Sequence, residues 1–173
     1  MSDIDFKRYI RRGKTAADIS PLLGNAAVFH EAVERIAGLF PDVTFDKVAG
    51  LEAKGFILGS AVAFRLGVGL IPIRKKGKLE HPVYAQKYLD YSRSEKTLEI
   101  HRDALADGER VLLIDDWVQT CGALRAAISL VKQCGVVVLG IGVLVDDTPD
   151  EVKRELEPYR YRFVERVVPG DDL

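Results

Sequence analysis

The run Val111-Leu112-Leu113-Ile114-Asp115-Asp116-Trp117-Val118-Gln119-Thr120-Cys121-Gly122-Ala123 constrains this chain more than any other segment. Four apolar residues meet two adjacent carboxylates, a short loop with Thr and Gly follows, and an apolar-periodic stretch opens at Ala123. Strand, acidic turn, small-residue loop and helix in that order belong to an α/β sheet. With the strand read as ending at Ile114, the aspartates fall at its carboxyl end, where open α/β sheets place their ligands. A helix from Ala123 to about Gln133 turns its unpaired backbone N–H groups and positive dipole end toward the loop, so an anion is the natural occupant. Two carboxylates beside an anion repel it unless they face a divalent cation or sugar hydroxyls. A ribose phosphate meets both conditions, with its phosphate on the loop and its vicinal diol on Asp115 and Asp116.

The remaining periodicity predicts one domain. Phe29 to Leu39 has helical spacing, with Val33, Ile36 and Ala37 on one side. Lys47 to Leu51 and Leu70 to Ile73 read as buried strands with a helix from about Gly59 to Leu66 between them. Gly135 ends the helix after the acidic run, Val136 to Val145 is a second apolar strand, and Tyr161 to Val168 is a last one. Strands alternating with helices imply a mostly parallel sheet covered on both faces. At 173 residues the chain is long enough to bury a core. A net charge of -1 gives no general attraction to nucleic acid or anionic membrane. No apolar stretch approaches the ~20 residues of a membrane span, and Met1 to Phe6 lacks a signal-peptide pattern, so a cytoplasmic location is expected. Cys121 and Cys134 are not spaced as a metal pair, and His30, His81 and His101 are scattered. Gly67-Val68-Gly69 and Gly140-Ile141-Gly142 do not continue as a dinucleotide fingerprint, which disfavours an oxidoreductase.

The acidic run resembles the phosphoribosyl pyrophosphate (PRPP) motif of the type I phosphoribosyltransferases: apolar strand, Asp-Asp, two or three variable residues, Thr-Gly-Gly-Thr. Three further segments are similar to the adenine branch of that family in the same order: Ala17 to Leu23, Ala49 to Phe56 and Ile71 to Leu79. The resemblance covers roughly residues 15 to 145. It implies an α/β type I phosphoribosyltransferase fold, with a mostly parallel central sheet flanked by helices. The whole chain, 1–173, would be one domain with a small N-terminal hood over approximately 1–25 and a lid loop over approximately 76–97. A connection of that length in a compact domain is usually a functional loop, and a β-hairpin with exposed aromatics is compatible with it. The implied activity is transfer of 5-phosphoribosyl from PRPP to a purine base, adenine being the expected one, with release of pyrophosphate, as in purine salvage. The implied partners are PRPP, a purine base and a second copy in a homodimer, with no nucleic acid and no membrane. Mg²⁺ is implied as cofactor, carried by PRPP, with Asp115 and Asp116 reached through water.

The resemblance also assigns roles. Asp115 orients the ribose diol, and Asp116 stabilises developing positive charge at the anomeric carbon or takes up the proton of the incoming base. Asp90, in Leu89-Asp90-Tyr91-Ser92 where adenine enzymes usually show Leu-Glu-Tyr-Gly, keeps a carboxylate one methylene short. Gln119, Thr120, Cys121, Gly122 and Ala123 would hold the 5′-phosphate. Ala53, Lys54, Arg74, Lys75, Lys78 and Tyr91 would hold pyrophosphate, although a charge run after a strand is more often a solvated loop. Ala16, Ala17 and Val145 would face the base. Several positions depart from the family pattern. Cys121 puts a side chain where glycine would leave room, and Ala123 removes a hydroxyl whose bond to a charged group is worth about 1.5–3 kcal/mol. Gln119 offers a compensating donor. Lys54 stands for an arginine, keeping charge and losing the planar fork, and Ala16-Ala17 stand for Phe-Arg. The sugar half is therefore retained and the base half altered. Two alternatives stay open: a non-catalytic PRPP or nucleotide-binding regulator, and a phosphoribosyltransferase for a different nitrogenous base.

Overall fold

Strands of nearly continuous apolar composition need cover on both faces, and helices on either side of the sheet supply it. The computed structural model describes residues 4–13 and 17–168. In chain order the elements are a 3₁₀ turn Phe6–Tyr9, β1 (Arg11–Arg12), β2 (Ala17–Asp18), α1 (Ser20–Leu23), α2 (Ala26–Ala37), β3 (Lys47–Leu51), α3 (Lys54–Leu66), β4 (Gly69–Lys75), β5 (Val83–Leu89) and β6 (Glu95–His101). Then come β7 (Arg110–Val118), α4 (Gly122–Gln133), β8 (Val137–Asp146), α5 (Asp150–Lys153), a 3₁₀ turn Glu157–Tyr159 and β9 (Tyr161–Arg166). The seven-stranded sheet has the order β5-β6-β4-β3-β7-β8-β9. From β4 to β9 neighbouring strands run parallel, while β6 and β5 join antiparallel on the β4 edge. The mostly parallel, helix-flanked α/β sheet expected from the sequence is the one observed.

Period-2 alternation in β7 divides the core. Val111 and Leu113 pack with α4 residues such as Leu124, Ala127 and Val131, whereas Leu112 and Ile114 pack with Val28, Ala32 and Ile36 of α2 and Leu58 and Val62 of α3. Each large aliphatic fully buried in this way contributes about 1.5–3 kcal/mol relative to exposure. Asn25 caps α2 by accepting from the Val28 N–H at 3.2 Å. The short antiparallel pair β1–β2 stands apart from the main sheet, and Phe6, Ile10, Ile19 and Leu22 around it are buried in the α2/α3 cluster.

Three elements differ from the sequence expectation, each for a tertiary reason. The strand read as ending at Ile114 continues to Val118, because β8 keeps supplying partners: Asp115 lies opposite Val143, Trp117 opposite Val145 and Val118 opposite Asp146. On its other side the ladder with β3 stops at Gly50 opposite Ile114, so β7 has a free edge where the acids sit. The helix expected from about Gly59 begins at Lys54, since Gly55 lets the first turn lie directly on β7; a Cβ there would come within 2.9 Å of the Ile114 carbonyl oxygen. Residues in the expected 76–97 lid form most of the β5–β6 hairpin, whose register runs from Val83 opposite His101 to Leu89 opposite Glu95. Tyr84 and Tyr88, on one face of β5, pack against the α4-side core.

The entry to the central strands is clamped by Asp46, which accepts from the Arg110 backbone N–H, Nε and Nη2 at 2.8, 2.8 and 2.9 Å. Those hydrogen bonds, the side-chain ones first, lower the Asp46 pKa to about 2. Because the folded-state value lies below that of the unfolded chain, the clamp adds stability above about pH 4 and loses it as pH falls toward 2. Asp46→Asn is expected to lower the urea midpoint at pH 7, with the gap to the parent protein closing between pH 4 and pH 2. A gap that stays constant across that range would remove the ionised clamp as its cause.

Candidate active site

A cleft of about 640 Å³ opens beside the carboxyl ends of β3 and β7, under the tip of the β5–β6 hairpin. Its walls are the turn Glu52-Ala53-Lys54, Lys75 at the end of β4, Tyr88, Asp90, Tyr91, Ser92 and Lys96 of the hairpin, and the run from Asp115 to Leu124. A second groove of about 540 Å³ lies between α4 and the Leu156–Tyr159 segment; it contains Arg125, Lys132 and Glu155 but no adjacent carboxylate pair and no helix N-terminus. The acidic pair and the N-termini of α3 and α4 all lie at the first.

Two helices begin at this cleft. Neither α3, whose N-cap is Ala53, nor α4, whose N-cap is Cys121, has a side-chain capping hydrogen bond. The first-turn N–H groups of both therefore keep donor capacity for a ligand, and both positive dipole ends lie on the cleft wall. The Glu52–Ala53 peptide at the first of these turns is cis.

Between the helix ends stands the acidic pair. The Asp116 N–H donates to Asp115 Oδ1 at 2.9 Å, and burial lifts the Asp115 pKa well above the usual carboxylate range, with the Asp116 charge adding to the effect. Lys54 Nζ lies 2.5 Å from Asp116 Oδ2. The approach is off the line of a hydrogen bond, so this buried oxygen has a charge beside it and no hydrogen-bond partner. Lys54 Nζ also donates to the Ala17 carbonyl at 2.5 Å, joining β2 to the acids.

The five loop residues Gln119, Thr120, Cys121, Gly122 and Ala123 all line the cleft. Cys121 adopts the left-handed conformation with φ 56° and turns its thiol into the α4-side core, where it is 3% exposed. Burial pushes that thiol up to about 11, so it is neither a nucleophile nor an obstruction above the loop. Cys121 is thus a non-glycine residue in a glycine-type conformation. Gln119 Nε2 donates to Asp147 Oδ2 at 3.3 Å, so the expected compensating donor is engaged elsewhere. A Cβ on Gly122 would overlap the Leu89 carbonyl oxygen, so the hairpin rests directly on the loop.

Ala53, Lys54, Lys75 and Tyr91 are on the cleft wall, whereas Arg74 and Lys78 are not among the lining residues. Arg74 Nε instead meets Glu52 Oε2 at 3.3 Å, and its guanidinium lies over the Phe56 ring. Adjacent strand residues face opposite ways, which separates Arg74 from Lys75. Asp90 lines the cleft, but its Oδ1 accepts from Ser92 N–H, Ser92 Oγ and Ser94 N–H at 2.9, 2.6 and 3.1 Å. Those bonds, the Ser92 hydroxyl first, hold its carboxyl below the usual range and shape the hairpin turn. Val145 is fully buried in the α2/α3-side core, away from the cleft, and Ala17 contributes its carbonyl. Ala16 lies outside the described residues. Trp117 is half-buried on the wall.

Sequence reasoning did not single out Glu52, Tyr88 or Lys96. Glu52, which accepts from the Lys75 N–H at 2.8 Å, had a usable signal: an acid just past the end of a buried strand, like Asp115. Among the described residues no group of three or more His, Cys, Asp or Glu could hold a metal by itself. Two adjacent carboxylates, one with an orphaned oxygen, suit a hard cation that brings most of its ligands as phosphate oxygens and water.

Residues 25–170 match the family model for the phosphoribosyl transferase domain. An adenine phosphoribosyltransferase of Dinoroseobacter shibae is 49% identical over 140 residues, 80% of this chain and 76% of that protein. One from Thermotoga maritima is 41% identical over 167 residues, 92% of this chain and 95% of that protein. Among solved structures, the adenine phosphoribosyltransferase of Thermoanaerobacter pseudethanolicus superposes with a TM-score of 0.85 at 32% identity, covering 94% of this chain and 98% of that one. The Giardia lamblia enzyme complexed with 9-deazaadenine gives 0.86 at 31% identity, covering 96% and 98%.

Proposed function

The chain belongs to the phosphoribosyltransferase family, and on that footing we propose that it transfers the 5-phosphoribosyl group of PRPP to adenine, releasing pyrophosphate and forming AMP. The observation that carries this reading is the pair of uncapped helix N-termini facing one cleft with the acidic pair between them. A substrate anionic at both ends and rich in hydroxyls in the middle fits that order of charges, and PRPP is such a molecule. Relatives named adenine phosphoribosyltransferase along most of the chain support adenine as the acceptor.

The 5′-phosphate would sit on the first turn of α4 and the loop 119–123, held mainly by peptide N–H groups. Pyrophosphate would sit at the first turn of α3, within reach of Lys54 and Lys75. Asp115 would accept from the ribose hydroxyls, donors that offset the cost of keeping its carboxylate ionised where burial raises its pKa. As the bond from C1 to the pyrophosphate oxygen breaks, a bond forms from C1 to a ring nitrogen of adenine, and that nitrogen's proton passes to Asp116 and then to water. When bound with PRPP, Mg²⁺ would neutralise the charge of the leaving pyrophosphate, and Asp115 and Asp116 would hold it through water. The hairpin tip over the cleft, together with the β1–β2 hood, would exclude water from the activated sugar. Purine salvage is the corresponding cellular role, and a homodimer belongs to the same proposal. Ile57 and Phe64, on one side of α3 and 43% and 90% exposed, are the apolar surface such a contact would cover.

A regulator that binds PRPP without turnover, which the Cys121 and Ala123 departures motivate, is less well supported, because one of the two, the Cys121 thiol, is turned away from the loop. Incubation with PRPP, Mg²⁺ and a panel of adenine, hypoxanthine and guanine decides the matter. Adenine is expected to give AMP and pyrophosphate in equal amounts, with the other bases at least about tenfold slower. Tight PRPP binding without turnover on any base would establish the regulator, and faster turnover on another base would reassign the acceptor.

A further inference from the structure

We infer that Asp146 is a positioning residue: with Thr148, Lys153, Tyr161 and Arg166 gathered on its carboxylate, it fixes the end of β7 from which the loop 119–123 departs, and so sets where that loop holds a 5′-phosphate. The inference rests on the function proposed above for the identity of that phosphate. Asp146 is the last residue of β8 and is 0% exposed. Its Oδ1 accepts from Thr148 Oγ1 at 2.5 Å and from the Tyr161 hydroxyl at 2.7 Å, and its Oδ2 lies 2.5 Å from Lys153 Nζ and 3.3 Å from Arg166 Nη1. Thr148 follows β8, Lys153 closes α5, and Tyr161 and Arg166 open and close β9, so three segments converge on one carboxylate. Burial, and after it the Asp146 charge, raise the Tyr161 pKa, so that hydroxyl stays a donor. A buried ion cluster rarely holds a fold together better than apolar packing would, because its charges have left water. What it supplies is direction, since charge-assisted hydrogen bonds fix distance and angle where apolar contacts slide.

The cluster reaches the loop through the backbone. Asp146 lies directly opposite Val118, the last residue of β7, and the Asp147 N–H donates to the Val118 carbonyl at 2.8 Å. On the other side the Val167 N–H donates to the Asp146 carbonyl at 2.9 Å, so β9 is tied to the same residue by main chain and side chains alike. Only Gln119, Thr120 and Cys121 separate Val118 from Gly122, the first residue of α4. A connection that short has no slack to absorb movement at its root. A second tie reaches its far end, where Glu155, just past α5, pairs with Arg125 of α4 at 2.8 Å. Peptide N–H groups aim at a phosphate only as well as their backbone is placed, and such sites need placement to about 0.5 Å. The partners of the Asp146 carboxylate come from α5, β9 and the segment before α5, and none comes from β3, α3 or β4, which carry the opposite end of the cleft. Disturbing the cluster should therefore be felt at one end of the cleft and not at the other.

Ribose 5-phosphate and magnesium pyrophosphate, each titrated alone into the intact protein by calorimetry, probe the two ends separately. Tyr161→Phe takes one hydroxyl from the cluster and keeps the ring. It is expected to weaken ribose 5-phosphate binding by about fivefold or more, within the reach of one hydrogen bond to a charged group, and Asp146→Asn should weaken it further. Pyrophosphate affinity should stay within about twofold in both, as for uncoupled sites. Asp46→Asn, which loosens the opposite end of β7, is the control: its urea midpoint falls while its ribose 5-phosphate affinity matches the parent protein. Parental ribose 5-phosphate affinity in Tyr161→Phe overturns the inference, whether or not Asp146→Asn folds. An equal loss of pyrophosphate affinity, or an equal loss of ribose 5-phosphate affinity in Asp46→Asn, also overturns it, because either means general loosening. Turnover of PRPP and adenine by the parent protein, measured alongside, keeps the two ideas apart. Turnover with an unaffected Tyr161→Phe sinks the positioning role alone, and a selective loss without turnover sinks the transfer reaction alone. A parent protein that neither binds ribose 5-phosphate nor turns over sinks both.

Discussion

Asp116→Asn is expected to lower kcat by about 10²–10⁴, the usual range for losing a positioned acid or base, while leaving the fold in place. Asparagine has nearly the same volume, and the Asp116 side chain is only 10% exposed, so the core around it need not rearrange. What changes is the charge that the proposed reaction places next to its reacting carbon, and the capacity to accept a proton. Among the described residues, Oδ2 is the one buried carboxylate oxygen without a hydrogen-bond partner; the Lys54 ammonium lies beside it, and a substrate N–H can still donate to it. Circular dichroism and the thermal midpoint should match the parent protein. Full activity in a properly folded Asp116→Asn protein would take this residue out of the chemistry.

Gly122→Ala tests the contact between hairpin and loop. The backbone of Gly122 is helical, so alanine costs nothing in conformation, and the whole effect comes from its Cβ meeting the Leu89 carbonyl oxygen, with Tyr88 Cδ2 at 3.4 Å. Either the hairpin lifts or the first turn of α4 shifts, and both disturb the place assigned to the 5′-phosphate. Overpacking of this kind typically costs about 1–3 kcal/mol of stability, and displacement of the loop is expected to lower kcat/KM for PRPP by about tenfold or more. An unchanged kcat/KM would mean that the hairpin is free to move away without consequence for the substrate.

The local parts of this molecule were legible in its sequence. The bounds Lys47–Leu51 of β3 follow from a short apolar run alone, and the loop 119–123 stands out because strand, acids, glycine and helix succeed one another without interruption. The extension of β7 to Val118 was not legible, since it depends on β8 offering partners beyond the point where β3 stops. The early start of α3 was hidden by Gly55, which reads as a helix breaker and serves here as the point of closest approach to β7. Arg74 and Lys75 are indistinguishable in a list of cations, yet strand alternation and the Glu52 carboxylate part them. The bridge from Lys54 to Ala17 spans segments with no local pattern in common, so only the folded chain displays it.

Cys121 carries a further lesson. A cradle built from peptide amides does not depend on which side chains decorate it, provided one residue tolerates the left-handed bend and hides whatever it bears. On the proposed reading, such a segment is free to change its side chains while its peptide N–H groups keep their hold on a phosphate.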